Sequence, residues 1–103
     1  MVKTPIQQQI QRRRMKRTRI TITGVVQGVW FRKSALEKAQ SLGLTGWVKN
    51  LSNGAVLAEA EGKIAAVEQF VTWCYQGPES AVVTGVETEN VPLENDGDFM
   101  ILG

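Results

Sequence analysis

The residues best suited to chemistry in this chain sit where an extended segment gives way to a helical one. The stretch Gly24-Val25-Val26-Gln27-Gly28-Val29-Trp30-Phe31-Arg32 carries two glycines and ends in an arginine. A glycine lets backbone amides turn toward a ligand and approach it closely. The first turn of a helix adds N–H groups without intrahelical partners and the positive end of the helix dipole. A loop through Gly28 that enters a helix is therefore a ready anion site. Arg32 stands at the junction, and its planar guanidinium can pair bidentately with phosphate oxygens. Each feature alone is weak, because glycines often precede helices and most arginines are simply solvated. The Lys-Ser/Thr ending of a nucleotide P-loop is missing, which argues against that class of phosphate binder.

The other reactive residue types narrow the field. The chain has no histidine. That removes the commonest general base, the commonest metal ligand and the usual partner of a catalytic Ser or Cys. One cysteine, Cys74, allows no intramolecular disulfide, so a reducing compartment, the cytoplasm, is the expected location. Cys74 falls on an apolar helical stripe and reads as a packing thiol, not a nucleophile. Glu94, Asp96 and Asp98 resemble a cation loop but lack the remaining ligands of an EF-hand, so a solvated acidic loop is expected. Trp30, Trp47 and Trp73 could form a stacking surface for bases, yet packing is the simpler reading for Trp47 and Trp73. Asn53, before Gly54, reads as a turn former. Lys33 adds positive field beside Arg32 and is assigned no chemistry.

The elements that position these residues follow from periodicity. Arg17 to Val26 alternates, with Ile20 and Ile22 on one face and Arg19, Thr21 and Thr23 on the other, which is a strand. Phe31, Ala35, Ala39 and Leu42 then recur at helical spacing up to Gly43. Ser34 and Glu37 have capping-box spacing, or sit in the first turns if the helix starts nearer Phe31. Gly46 to Asn50 is a second strand and Ala55 to Glu61 a third, joined through Ser52-Asn53-Gly54, a strong hairpin signal. Ile64, Val67, Phe70, Val71 and Cys74 mark a second helix, stopped at Gly77-Pro78. Ala81 to Glu89 is a fourth strand, bulged near Gly85, and Asp98 to Leu102 a short closing strand. The order β-α-β-β-α-β is the split βαβ pattern of an α+β, ferredoxin-like fold. Two helices are expected on one face of an antiparallel sheet, with a short extra C-terminal strand. Many activities share this fold, so it does not decide function.

A length of 103 residues suits one domain. Residues 1 to 16 are expected to be a disordered basic extension and 17 to 103 the domain, with Met15 as an alternative start. The net charge of +2 is concentrated in that extension: residues 1 to 14 hold four of the 12 basic residues and no acid. The other eight stand against ten acids, so residues 15 to 103 carry net −2. That argues against a nucleic-acid-binding domain surface. No apolar run approaches the ~20 residues that span a bilayer, and no signal-peptide h-region appears.

The segments Val26-Gln27-Gly28-Val29-Trp30-Phe31-Arg32 and Leu42-Gly43-Leu44-Thr45-Gly46-Trp47-Val48-Lys49-Asn50 together resemble the paired signature of the acylphosphatase family. The likeness runs on through Asn53-Gly54, Trp73-Cys74, Gly77-Pro78 and Asp98-Phe99-Met100-Ile101, and covers roughly residues 17 to 103. Two spaced motifs in a strand–loop–helix context are far more specific than one. The resemblance implies that backbone amides of Gln27, Gly28, Val29, Trp30, Phe31 and Arg32 cradle a phosphate. It implies that the Arg32 guanidinium binds the equatorial oxygens and that Asn50, at the end of the second strand, orients the attacking water. It implies no metal and no organic cofactor. The implied partners are a small-molecule acyl phosphate as substrate and inorganic phosphate as product and competitor, with no membrane. Small size and the lack of a heptad seam make a monomer the default. The sequence departs from the family at Val25, where a basic residue is common, at Trp30, which is bulky beside the loop at a position where the family varies, and in its N-terminal extension.

Chemistry makes these residues plausible on their own. An acyl phosphate is a mixed anhydride whose leaving group is a stable carboxylate, so no general acid is needed. An asparagine is a poor base, yet positioning suffices when the transition state is loose and charge stabilisation dominates. The expectation is an enzyme that hydrolyses acyl phosphates to a carboxylate and inorganic phosphate by water attack on phosphorus. The rivals are a catalytically weak phosphoanion-binding module of the same fold and a ferredoxin-like RNA binder using the basic tail.

Overall fold

The computed structural model describes residues 14–103. The elements follow the order β1 (Met15–Val25), α1 (Phe31–Ser41), β2 (Thr45–Asn50), β3 (Val56–Lys63), α2 (Ile64–Cys74), β4 (Val82–Val91) and β5 (Phe99–Leu102). The sheet order is β4-β1-β3-β2-β5. β3 pairs antiparallel with both β1 and β2, and β4 antiparallel with β1. This is the expected split βαβ arrangement. β5 lies parallel to β2, with Gly46 opposite Phe99 and Val48 opposite Ile101. The sheet is therefore mixed, not purely antiparallel.

The strand period of two divides the sheet into a covered face and an open one. Ile20 and Ile22 of β1, Val48 of β2, and Val56, Ala58 and Ala60 of β3 are buried. They meet Phe31, Ala35 and Ala39 from α1 and Val67, Phe70 and Cys74 from α2, with Phe99 of β5 completing the cluster. The ring centroids of Phe31 and Phe70 lie 5.3 and 5.9 Å from that of Trp73. Trp73 is thus a packing residue, as its place in the helix suggested. Burial also pushes the Cys74 thiol well above its ordinary pKa, which keeps it protonated and inert.

Several local expectations shift by a few residues. Met15 and Lys16, expected in the extension, pair with Lys63 and Gly62, so the sheet begins before residue 17; residues 1 to 13 of that extension lie outside the described residues. The irregularity in β4 falls at Thr84, skipped where Thr23 pairs with Gly85 and Gly24 with Val83. α1 starts at Phe31 with Trp30 as its N-cap, so Ser34 and Glu37 sit in its first turns and form no capping box. The β2–β3 connection is closed by Leu51 N–H donating to Ala55 O (2.8 Å) and Ala55 N–H donating to Asn53 Oδ1 (3.0 Å). Asn53 is a turn former, as expected.

The open face holds the largest departure. Arg17 is fully buried there. Its Nε donates to Glu59 Oε1 at 2.6 Å, and its Nη1 to Asp96 Oδ2 at 2.8 Å and Glu61 Oε1 at 3.2 Å. Arg19 Nε donates to the other Glu59 oxygen at 2.8 Å. Backbone N–H groups of Glu94 and Asn95 donate to Glu61. The segment with Glu94 and Asp96 is therefore not a free solvated loop: it is bonded to the sheet and covers Arg17. Burial works against the charges, but the hydrogen bonds outweigh it, holding Arg17 above its ordinary pKa and Glu59 below its own.

Candidate active site

β1 and β2 both run antiparallel to β3, and β5 runs parallel to β2. The C-terminal ends of these three strands therefore point to the same end of the sheet. At that end the chain leaves β1 through Val26, Gln27, Gly28, Val29 and Trp30 and enters α1. A cleft of about 350 Å³ opens there, lined by Val26, Gly28, Trp30, Phe31, Arg32, Lys33, Asn50 and Ile101. Of the residues expected at a phosphate site, Gly28, Trp30, Phe31, Arg32 and Asn50 are thus brought together. Gln27 and Val29 do not line the cleft.

The loop has a backbone made for anions. Gly28 has φ 75° and Trp30 φ 66°, while Val29 between them is not left-handed. Alternating handedness turns successive N–H groups toward one concavity. Glycine adopts this without cost; tryptophan in the left-handed region loses about 1–2 kcal/mol. No side chain caps α1 and no acidic residue lies in its first turn. Its first N–H groups and its positive dipole end are therefore open to an anion. Arg32 and Lys33 add two cations to the cleft wall, which carries no carboxylate.

Second contacts hold the loop in place. Gln27 Nε2 donates to Leu51 O at 2.7 Å and to Ala55 O at 2.8 Å. These two bonds tie the β1–α1 loop to the β2–β3 connection, immediately after Asn50. Ser80 Oγ donates to Val29 O at 2.9 Å. Arg32 Nη1 donates to Gly103 O at 2.8 Å, which anchors the guanidinium through one of its five donors. Asn50 lies on the covered face of β2, two residues beyond Val48. Its Oδ1 is buried and has no hydrogen-bond partner. An unpaired buried carbonyl oxygen is costly, and no group among the described residues pairs with it.

Some of this was beyond the sequence. Nothing local marks Gln27 as a bridge, because its acceptors lie on another connection. Ile101 enters the cleft only because β5 pairs in parallel with β2. The Arg17 network had a faint signal: Arg17 and Arg19 alternate on one strand face, Glu59 and Glu61 on another, and only the register of β1 with β3 joins them.

Fold and cleft together define a small α+β domain with an open, cationic cleft where a strand hands over to a helix. The family model described as Acylphosphatase matches residues 18–101, and the chain belongs to the acylphosphatase family. An acylphosphatase of Rubrobacter xylanophilus is 50% identical over 80 residues, covering 78% of this chain and 73% of that protein. One from Methylococcus capsulatus is 45% identical over 89 residues, covering 85% and 97%. The solved acylphosphatase structure from Coxiella burnetii superposes with a TM-score of 0.86 at 38% identity, over 89% of this chain and 97% of that one. The chain is accordingly an acylphosphatase, a hydrolase, and the rival readings as a bare binding module or an RNA binder lose their support. The family implies a small-molecule acyl phosphate as substrate and phosphate as product. No helix among the described residues is long and apolar enough to cross a membrane.

Proposed function

We propose that the backbone cradle from Gln27 to Arg32 binds the phosphoryl group, that the Arg32 guanidinium pairs with its equatorial oxygens, and that Asn50 orients the attacking water. Water bonds to phosphorus as the bond from phosphorus to the bridging oxygen breaks. The electron pair leaves with the carboxylate, and the water's proton passes to the phosphate oxygens or to solvent. Charge on the equatorial oxygens meets N–H dipoles and cations already in place, so little reorganisation is needed. Positioning of water by a neutral amide is enough because the carboxylate needs no proton to depart. The reaction takes no metal and no cofactor in this scheme.

The observation that carries the reading is that Gly28, Arg32 and Asn50 line one cleft, with Asn50 Oδ1 given no partner by the protein itself. The test is turnover of benzoyl phosphate in the presence of a chelator, with inorganic phosphate added. Turnover that resists the chelator, with competitive inhibition by phosphate, is expected. Activity that vanishes with the chelator and returns with a divalent cation would overturn the metal-free scheme. The scheme assigns no role to residues 1 to 14, so their deletion is expected to leave turnover nearly unchanged. A buried, lone cysteine suits a cytoplasmic monomer. Elution at twice the monomer mass would overturn the monomeric state.

A further inference from the structure

Trp30 is uncomfortable in both backbone and side chain. Its φ of 66° lies in the left-handed region, where a bulky residue is an outlier. Its side chain is 74% exposed, although tryptophan gains more from burial than any other residue. The cradle alone does not call for an indole, since glycine or asparagine would hold the same backbone with less strain. Nor does the core: the aromatic cluster consists of Phe31, Phe70, Trp73 and Phe99, without Trp30. Its notable neighbour is Lys33, whose Nζ lies 5.9 Å from the ring centroid and shares the cleft wall.

The cleft itself shows what the indole can do. A phosphoryl group fills only part of about 350 Å³. The rest is open to the acyl portion of the substrate. Besides the cradle, its cations and Asn50, the wall there is apolar: Trp30, Val26 and, from β5, Ile101, which is 39% exposed. Trp30 and Ile101 are thus two solvent-exposed apolar side chains in the wall of one cleft, where an apolar group of the substrate can rest against them.

We propose that Trp30 is a specificity-determining residue for the acyl group, its indole together with Ile101 selecting acyl phosphates with planar, apolar acyl groups, aromatic ones above all, over short ones such as acetyl. This rests on the reading that the same cleft holds the phosphoryl group. Strain in the Trp30 backbone is then the cost of presenting an aromatic face at a position the cradle would otherwise give to glycine.

Phenacylphosphonate and acetonylphosphonate carry a methylene in place of the bridging oxygen of benzoyl and acetyl phosphate, and their binding by calorimetry needs no turnover. Wild-type protein is expected to bind the phenacyl compound about tenfold more tightly. Trp30→Gly should reduce that preference to about twofold, and Trp30→Phe should retain most of it. The ratio of kcat/KM for benzoyl over acetyl phosphate should follow the same order across the three proteins. A role in shaping the cradle alone would move both compounds together and leave the ratio fixed. An unchanged preference in Trp30→Gly, or none in the wild type, overturns the proposal. Hydrolysis of both substrates without discrimination overturns the specificity and leaves the hydrolytic reading standing. Tight, selective binding without hydrolysis does the reverse.

Discussion

Replacing Asn50 by alanine is the sharpest probe of the site. Of the side chains in the cleft, Arg32 and Lys33 only donate hydrogen bonds, Trp30 only donates through its indole N–H, and Val26, Phe31 and Ile101 do neither. Asn50 carries the one side-chain acceptor among the residues that line the cleft, and its Oδ1 has no partner in the protein. In the proposed scheme Asn50→Ala therefore leaves the attacking water with no side chain to orient it, and no neighbour in the cleft can substitute. Loss of a single preorganised contact made in the transition state costs about 10²–10³ in kcat, or about 3–4 kcal/mol. In the proposed scheme the phosphate contacts belong to the loop amides and Arg32, which the substitution does not touch. KM for benzoyl phosphate and the inhibition constant for inorganic phosphate should therefore change by less than about threefold. Continuous ultraviolet detection of benzoyl phosphate gives both parameters, and phosphate inhibition gives the second independently. Full retention of kcat would refute the water-positioning role. A rise in KM in proportion to the fall in kcat/KM, with kcat intact, would instead assign Asn50 to binding.

Three further outcomes are expected. Arg32→Gln should weaken phosphate inhibition and lower kcat/KM together, because the guanidinium meets charge in ground and transition states alike; unchanged phosphate inhibition would contradict its place in the cradle. Gln27→Leu removes two bonds between the catalytic loop and the β2–β3 connection, and each carbonyl keeps one backbone donor. A stability loss of about 1–2 kcal/mol in urea is expected, with a larger fall in kcat than in phosphate affinity; a normal kcat would show that the tie does not position Asn50. Arg17→Met should cost about 3 kcal/mol, the low end for breaking a buried pair, because Glu59 keeps Arg19 and Glu61 keeps two backbone donors. Adding Glu59→Gln and Glu61→Gln should recover much of the loss, and failure to do so would mean that the network's charges are not what Arg17 balances. The same network sets an acid limit. Glu59 titrates below its ordinary value of 4.5 in the folded protein, so below that pH the unfolded chain takes up a proton the folded one refuses. Stability is then present above pH 4.5 and declines as pH falls through the lower folded value. Urea midpoints measured down to pH 3 should show this decline, and Glu59→Gln should flatten it.

The chain's own periodicities carry most of the architecture. Alternation at Ile20 and Ile22, helical spacing at Phe31, Ala35 and Ala39 and at Val67, Phe70 and Cys74, and the Asn53-Gly54 turn each specify a local element and the face it must bury. The strand-to-helix loop through Gly28 into Arg32 announces an anion site because glycine freedom and helix ends are local properties. Tertiary structure decided the rest. Arg32 and Asn50 meet because β1 and β2 run the same way on either side of β3, which no spacing in the chain states. Parallel pairing of β5 with β2 put Ile101 in the cleft. The register of β1 against β3 buried Arg17 between Glu59 and Glu61 and turned an acidic stretch into a cover for it. Gln27 found its acceptors on a connection more than twenty residues away. Faces and turns follow from the covalent order of neighbouring residues; contacts between distant segments follow from strand direction and register, which exist only once the sheet has formed.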